Sequence, residues 1–356
     1  MESRFPYNHI QPFQNWKKAV SLVDNNRIDP HGETRFRFDR QTKFVSAGSC
    51  FAQRIAESLQ DYGFRYLVVE PGPPWLAVQQ RLDYSYGVYS ARYGNIYTTL
   101  HLLQLLQRAA GELTPVDEYW MGKDGSFVDP FRPSIQPGGF ANLNELLTDR
   151  RQHLASVTQL LGEMDVFVFT LGLTETWVSA LDGAAFPACP GKQFGDYSPE
   201  RYAFRNLTLD ENVEYFERFL AMLHELNPRA KVLLTVSPVP LAATAENQHV
   251  LQSTTYSKAV LRVLAQEMRR RHDNVEYFAS YEIVTATYNA ETYFQADKRN
   301  VTPAAVDHVM WSFFRNFTDE DPDQMTKIDR SQDTSGPLTV KVCEEEQLLA
   351  LINANL

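Results

Sequence analysis

The chain has 356 residues, 44% of them hydrophobic and 12% aromatic, enough for one large or two modest domains with a real core. Its 34 Lys and Arg against 44 Asp and Glu give a net charge of −10, which argues against non-specific nucleic-acid binding, a function that needs accumulated positive charge. No apolar run reaches the roughly 20 residues of a membrane-spanning helix, and residues 1–16 hold no secretory apolar stretch, so a soluble, cytoplasmic protein is expected.

Residues 1–38 are polar and read as an arm laid over the surface. The first strong element is the strand Lys43-Phe44-Val45-Ser46-Ala47, followed at once by Gly48-Ser49-Cys50 and by a helix in which Phe51, Ile55 and Leu59 recur at i, i+4 and i+8. A second strand is predicted at 66–69, stopped by Pro71, Pro73 and Pro74. Helices are predicted at 98–110 and 144–162, then the continuous apolar strand 165–170 of the kind buried on both faces in a parallel sheet. Further on come a helix at 211–226, a strand at 231–236 ending in Ser237-Pro238-Val239-Pro240, a helix at 254–271 and a short strand at 275–278. A last amphipathic helix starts at Thr302-Pro303. Residues 318–337 read as an acidic linker and 338–356 as a short strand and helix, giving an arm (1–38), a body (39–317) and a C-terminal extension (318–356).

Strands alternating with helices predict an α/β class in three layers, a parallel sheet with helices on both faces. Ligands of such sheets bind beyond the carboxyl ends of the strands, so the segments at Gly48 to Cys50, at Gly172 to Glu175 and at Ser237 to Pro240 are where chemistry is expected. Between a strand and a helix N-terminus, Gly48-Ser49-Cys50 offers backbone amides to an anion or a developing oxyanion. The helix dipole also favours the thiolate of Cys50, the reactive form, which makes Cys50 a candidate nucleophile. The alternative is a small buried residue that begins the helix, with Ser49 as its N-cap. The three cysteines, Cys50, Cys189 and Cys343, have no metal-type spacing; no metal or other cofactor is expected, and a cysteine that matters acts as a thiol.

Gly48-Ser49-Cys50-Phe51-Ala52 is the string that names the GSCFA family, which the chain resembles over roughly residues 40 to 315. Ser90-Ala91-Arg92-Tyr93-Gly94-Asn95-Ile96-Tyr97, Asp129-Pro130-Phe131-Arg132-Pro133, 170–177, 235–241 and Tyr256-Ser257-Lys258 also look like segments of that family, in the same order. The family is itself similar to the SGNH (GDSL-like) hydrolases, which are esterases, lipases, deacetylases and some acyltransferases on a flavodoxin-like sheet. The resemblance therefore implies a three-layer αβα flavodoxin-like sheet with helical insertions. It also implies an esterase or acyltransferase whose partner is a small-molecule or glycan ester.

By the same resemblance, the Gly-Asp-Ser block falls on Gly48-Ser49-Cys50, a departure that puts a thiol where a serine would attack; Ser49 is the alternative nucleophile. Gly94 beside Asn95 matches the oxyanion glycine. Gly172-Leu173-Thr174-Glu175 stands where Gly-x-Asn-Asp would, with Thr174 donating through its hydroxyl or, structurally, capping a strand-to-helix turn. The Asp-x-x-His block falls on Asp297-Lys298-Arg299-Asn300, and asparagine cannot accept a proton near neutral pH. Three accounts of Asn300 stay open: a changed position, a binding relative that has lost hydrolysis, or another histidine as base. His249 is the substitute first in line, with Asp297 orienting it; His308 reads as packed or solvated. Arg92, Arg132 and Lys258 could hold an anionic part of a substrate or make solvent-exposed salt bridges.

Overall fold

A computed structural model describes residues 6–191 and 194–328; Cys343, part of the expected linker and the strand and helix expected at 338–356 lie outside the described residues. The chain enters with β1 (Phe44–Ala47) and α1 (Cys50–Asp61), then passes through α2 (Val78–Asp83) and α3 (Thr99–Ala109) to the small hairpin β2 (Trp120–Met121) and β3 (Phe127–Val128). After α4 (Leu143–Glu163) and β4 (Val166–Leu171) come β5 (Glu175–Ser179), β6 (Ala185–Phe186) and β7 (Tyr202–Asn206). The body closes with α5 (Leu209–Leu226), β8 (Lys231–Val236), α6 (Val250–Arg271), β9 (Val275–Tyr277), α7 (Ser280–Thr285), α8 (Ala290–Tyr293) and α9 (Pro303–Phe317).

The central sheet has four parallel strands in the order β1-β4-β8-β9. Alternation along β4 divides the core. Phe167, Phe169 and Leu171 meet α3, α4, α5 and α6 on one face, while Val166 and Val168 meet α1, α7, α8 and α9 on the other. The fold is thus mixed α/β with helices on both faces of a parallel sheet. Phe51, Ile55 and Leu59 are all buried in the second face, which is why α1 lies where its apolar spacing predicts. Among the described residues, no helix is long and apolar enough to cross a membrane.

Two of the expected elements differ, and α2, the hairpin β2–β3, β6, β7, α7 and α8 have no counterpart among the expected elements. The strand expected at 66–69 shrinks to one parallel bridge, Tyr66 beside Phe44. Leu67 donates to the carbonyl of Phe44 at 2.9 Å, but the amide of Val69 has already turned to Ser90, and the prolines that follow have no N–H to continue a ladder. The expected strand-to-helix turn at 172–177 leads instead into β5, the middle strand of an antiparallel sheet β6-β5-β7. Its Thr-Trp-Val run is β-branched and aromatic, and pairing with β7 satisfies a backbone that a helix would otherwise have to close.

The arm does more than cover the surface. Phe36 and Phe38 join the core on the α1 and α9 face, and the Arg35 guanidinium donates to the carbonyls of Arg269, His272 and Val275. The start of the expected linker is also tied down: Thr318 forms a parallel bridge with Phe38, Arg40 pairs with Glu320, and the Ile328 amide donates to the Asp61 carbonyl.

Candidate functional site

The carboxyl end of the sheet gathers three of the segments singled out above, and backbone hydrogen bonds lock them together. The Gly48 carbonyl accepts from the Ile96 amide at 2.9 Å, and the Tyr97 carbonyl accepts from both Gly172 (3.2 Å) and Leu173 (2.9 Å). The turns after β1 and β4 are therefore bridged by residues 96–97. Gly48 has φ +147°, and a Cβ there would lie 2.8 Å from both Cβ and the carbonyl oxygen of Thr170 and 3.0 Å from Ala52 Cβ, so only glycine lets α1 start this close to β4.

Cys50 is the first residue of α1 and is 9% exposed, packed against Val239 from the segment after β8. Ser49 occupies the N-cap position with extended backbone, yet its side chain makes no cap hydrogen bond. The amides of the first turn of α1 are thus not satisfied by the Ser49 hydroxyl, in contrast to α3, α5 and α9, whose cap threonines Thr98, Thr208 and Thr302 do accept such bonds. Gly94 is left-handed at φ +70°, and the neighbouring Asn95 accepts from the Tyr89 hydroxyl, itself an acceptor from Gln53 of α1 at 2.8 Å.

The Gly172 to Glu175 turn is held from behind. Lys258 Nζ, in the interior, donates to the Gly172 carbonyl at 2.7 Å, and the Thr174 amide donates to Ser257 Oγ at 3.0 Å. The Thr174 hydroxyl donates to Asn206 Oδ1 at 2.6 Å, and Glu175 accepts from Thr244 Oγ1 at 2.7 Å. Thr174 is no helix cap, and Lys258 grips protein backbone. Sequence reasoning passed over Ser257, Asn206 and Thr244; only Ser257 carried a signal, its place beside Lys258 in a quoted string.

Asp297 closes its own turn. Its Oδ1 accepts the amides of Arg299 and Asn300, both at 3.0 Å, and its Oδ2 accepts Asn300 Nδ2 at 2.7 Å. Burial would raise this carboxyl, but those hydrogen bonds outweigh it and hold it below the usual carboxylate range. Arg299 Nε donates to the Pro240 carbonyl at 3.2 Å, which fastens the turn to the segment that carries Val239.

His249 is exposed and is the N-cap of α6. Its Nδ1 accepts from the Leu251 amide at 3.1 Å, which leaves the proton of the neutral ring on Nε2. His308 is packed, its ring nitrogens bonded to the Tyr293 hydroxyl and the Ile28 carbonyl.

Arg92 and Arg132 make no exposed salt bridges. Both are buried, Arg92 paired with Asp149 at 2.6 Å and Arg132 with Asp149 and Asp129 at 2.8 and 2.9 Å; Arg150 adds a second contact to Asp129 at 3.1 Å. Glu70 accepts from the Arg92 amide and pairs with His153 at 2.8 Å. Burial opposes charge on Asp129, but Arg150, Arg132 and Arg108 overcome it and hold the carboxyl far below its usual value. The described residues contain no cluster of three or more His, Cys, Asp or Glu able to hold a metal.

A parallel sheet with this junction at its carboxyl end defines an α/β protein whose candidate site is built from the turns after β1, β4 and β8. The sequence model of the GSCFA family matches residues 43–313, and the chain belongs to that family. No curated protein matches it.

Proposed function

We propose that the chain is an ester- or acyl-transfer enzyme related to the SGNH hydrolases, with Cys50 as its nucleophile and an O-acyl group, such as one on a carbohydrate, as its substrate. The position of Cys50 carries this reading: it opens α1 at the carboxyl end of β1, where the turns after β4 and β8 converge. With the Tyr66 bridge outside β1, the strand positions also run in the 2-1-3-4-5 order of flavodoxin-like sheets, which supports the kinship.

In this reading the positive end of α1 favours the thiolate. The sulfur attacks the ester carbonyl carbon, amides of the first turn of α1 and of Gly94 hold the oxyanion, and the carbon–oxygen bond breaks. The alkoxide leaves with a proton from water, and a thioester remains on Cys50. Water, or a sugar hydroxyl, then attacks the thioester carbonyl, gives up its proton to solvent and releases the thiolate. With His249 Nδ1 occupied, no imidazole is assigned as base. Asp297 holds the loop that fastens to Pro240.

A second reading, a binding protein on the same scaffold, is favoured by the Asp297 to Asn300 pair, which holds no proton acceptor of the usual strength. Iodoacetamide labelling at pH 7 and turnover of an aryl acetate separate the two. Cys50 is expected to label faster than Cys189, whose thiol burial pushes up to about 11, and Cys50→Ala to abolish turnover while Ser49→Ala retains it. Inert Cys50 with no turnover favours the binding reading; loss of turnover in Ser49→Ala alone transfers the attack to Ser49.

A further inference from the structure

A cavity of about 330 Å³ opens at the β9 edge of the sheet, between the arm and α6. That volume lies within the roughly 300–1,000 Å³ of small-molecule sites. The strand order is β1-β4-β8-β9, so β4 and β8 separate this edge from the strand that leads to Cys50, a lateral distance of roughly 14 Å. Both walls of the cavity are fixed. On the arm, His31 Nε2 accepts from the Ala279 amide at 3.1 Å, and the Phe13 ring rests on Gly32, where an added Cβ would lie 3.0 Å from its Cε2. The ring is still 46% exposed. On the other wall, Arg262, Gln266 and Arg269 recur at i, i+4 and i+7, which puts them on one face of α6 over about 10 Å.

The arginines of this cavity are matched in pairs. Arg262 Nε donates to Glu282 Oε1 at 2.6 Å, Glu282 Oε2 accepts from the Tyr277 hydroxyl at 2.7 Å, and Arg269 pairs with Glu276. Neither arginine is closed off. Each side chain is 33% exposed, and Nη2 of Arg262 and Nη1 of Arg269 make no hydrogen bond among the described residues. Gln266 is exposed, and the exposed Glu33 carboxylate forms no ion pair among the described residues. A ligand therefore meets N–H donors on α6 and a carboxylate on the arm. Two guanidinium groups face three carboxylates, so the walls offer an anion no net attraction, while an ammonium group finds nothing to bond on the arginine side. A hydroxyl both donates and accepts, and so satisfies both walls.

We propose that this cavity binds a neutral saccharide. Its hydroxyls accept from Arg262, Gln266 and Arg269 and donate to the Glu33 carboxylate, and the C–H face of one sugar ring lies on Phe13. The planar ends of these side chains suit neighbouring hydroxyls of a ring, and the aromatic wall takes the apolar face that the hydroxyls leave. The site is independent of the role of Cys50: it holds a glycan at the β9 edge whether the turn after β1 reacts or only binds.

The test is saturation-transfer difference NMR of the full chain with maltotriose, cellotriose and diacetylchitobiose, neutral saccharides of different linkage, and with glucosamine and glucuronate as charged comparisons. Affinity is read from the concentration dependence. Transfer to at least one neutral saccharide is expected, with affinity lowered by about tenfold in Phe13→Ala and in Gln266→Ala, the loss of one well-made contact in each. Both side chains are exposed, so both variants are expected to keep the wild-type Tm. A saccharide held instead at the turn after β1 would bind both variants as it binds the wild type. No transfer to any neutral saccharide, undiminished affinity in either variant, or stronger transfer to glucosamine or glucuronate than to every neutral saccharide would each overturn the proposal.

Discussion

Lys258 Nζ reaches from α6 across the interior to the carbonyl oxygen of Gly172, 2.7 Å away, and so fixes the turn after β4 from a helix 86 residues further along the chain. A lysine placed this way keeps a buried carbonyl satisfied with a charged donor, a bond worth more than a neutral one. Lys258→Met, nearly equal in length and without the donor, is expected to lower stability by about 1–3 kcal/mol, read as a fall in the urea midpoint at unchanged slope. If the Lys258→Met chain unfolds at the wild-type midpoint, the bond holds nothing that matters to the fold.

Gly48 is the point of closest approach between the turn after β1 and β4. Alanine there would carry a left-handed backbone and a Cβ 2.8 Å from two atoms of Thr170. The expected cost is at least about 2–3 kcal/mol, since strain and overpacking combine. Chemical denaturation of Gly48→Ala against Gly162→Ala, a helical glycine with nothing near its added Cβ, checks this: the second should be neutral or stabilising.

Two buried imidazoles should give the fold an acid-sensitive side. Burial pushes His101 to about 4; burial and then Arg132 push His153 to about 4 despite Glu70. Both folded values lie below the ordinary unfolded value near 6.5, so the unfolded chain binds more protons between about pH 4 and 6.5. Stability is therefore complete above pH 6.5 and declines as pH falls toward 4, by a few kcal/mol on the order of magnitude of the two shifts. Urea midpoints at pH 7.5, 6 and 5 should fall in that order, and His153→Gln should flatten the slope.

Asp129 anchors Arg132 and Arg150 in the interior. Removing its charge leaves Arg150 without its carboxylate partner and Arg132 with Asp149 alone, and Asp129→Asn is expected to cost about 3–5 kcal/mol. Its carboxyl lies far below the unfolded value, so this contribution persists above pH 4 and is lost only in stronger acid. A thermal scan at pH 7 that finds Asp129→Asn within a degree of wild type would remove the ion cluster from the list of stabilising features.

Asn300 already donates to Asp297 from the position at which a histidine would be oriented. In the proposed enzyme, Asn300→His supplies an imidazole held by the same carboxylate. Aryl acetate turnover is then expected to rise by about tenfold or more, within the range that a positioned general base contributes. No gain in a folded Asn300→His chain would place this turn outside the reaction.

The order of β1, β4, β8 and β9 and of α1, α3, α4, α5, α6 and α9 was legible along the chain because each of these carries its own pattern, whereas the short α2, β2, β3, β6, β7, α7 and α8 were not. The all-apolar run of β4 and the i, i+4, i+8 face of α1 are local patterns that burial then obeys. The Gly48-Ser49-Cys50 turn was legible for the same reason, as small residues between a strand and a helix. The fate of residues 172–177 was not, since Thr-Glu-Thr-Trp suits a turn or a strand until β7, 27 residues on from Glu175, offers its edge. The partners of each polar group were likewise a tertiary matter. Arg92 found Asp149, Thr174 found Asn206, and Lys258 found Gly172, all through distances in sequence that no local pattern encodes. Periodicity states which face is buried; only the packed chain states which donor meets which acceptor, because that choice is made by every other group competing for the same interior.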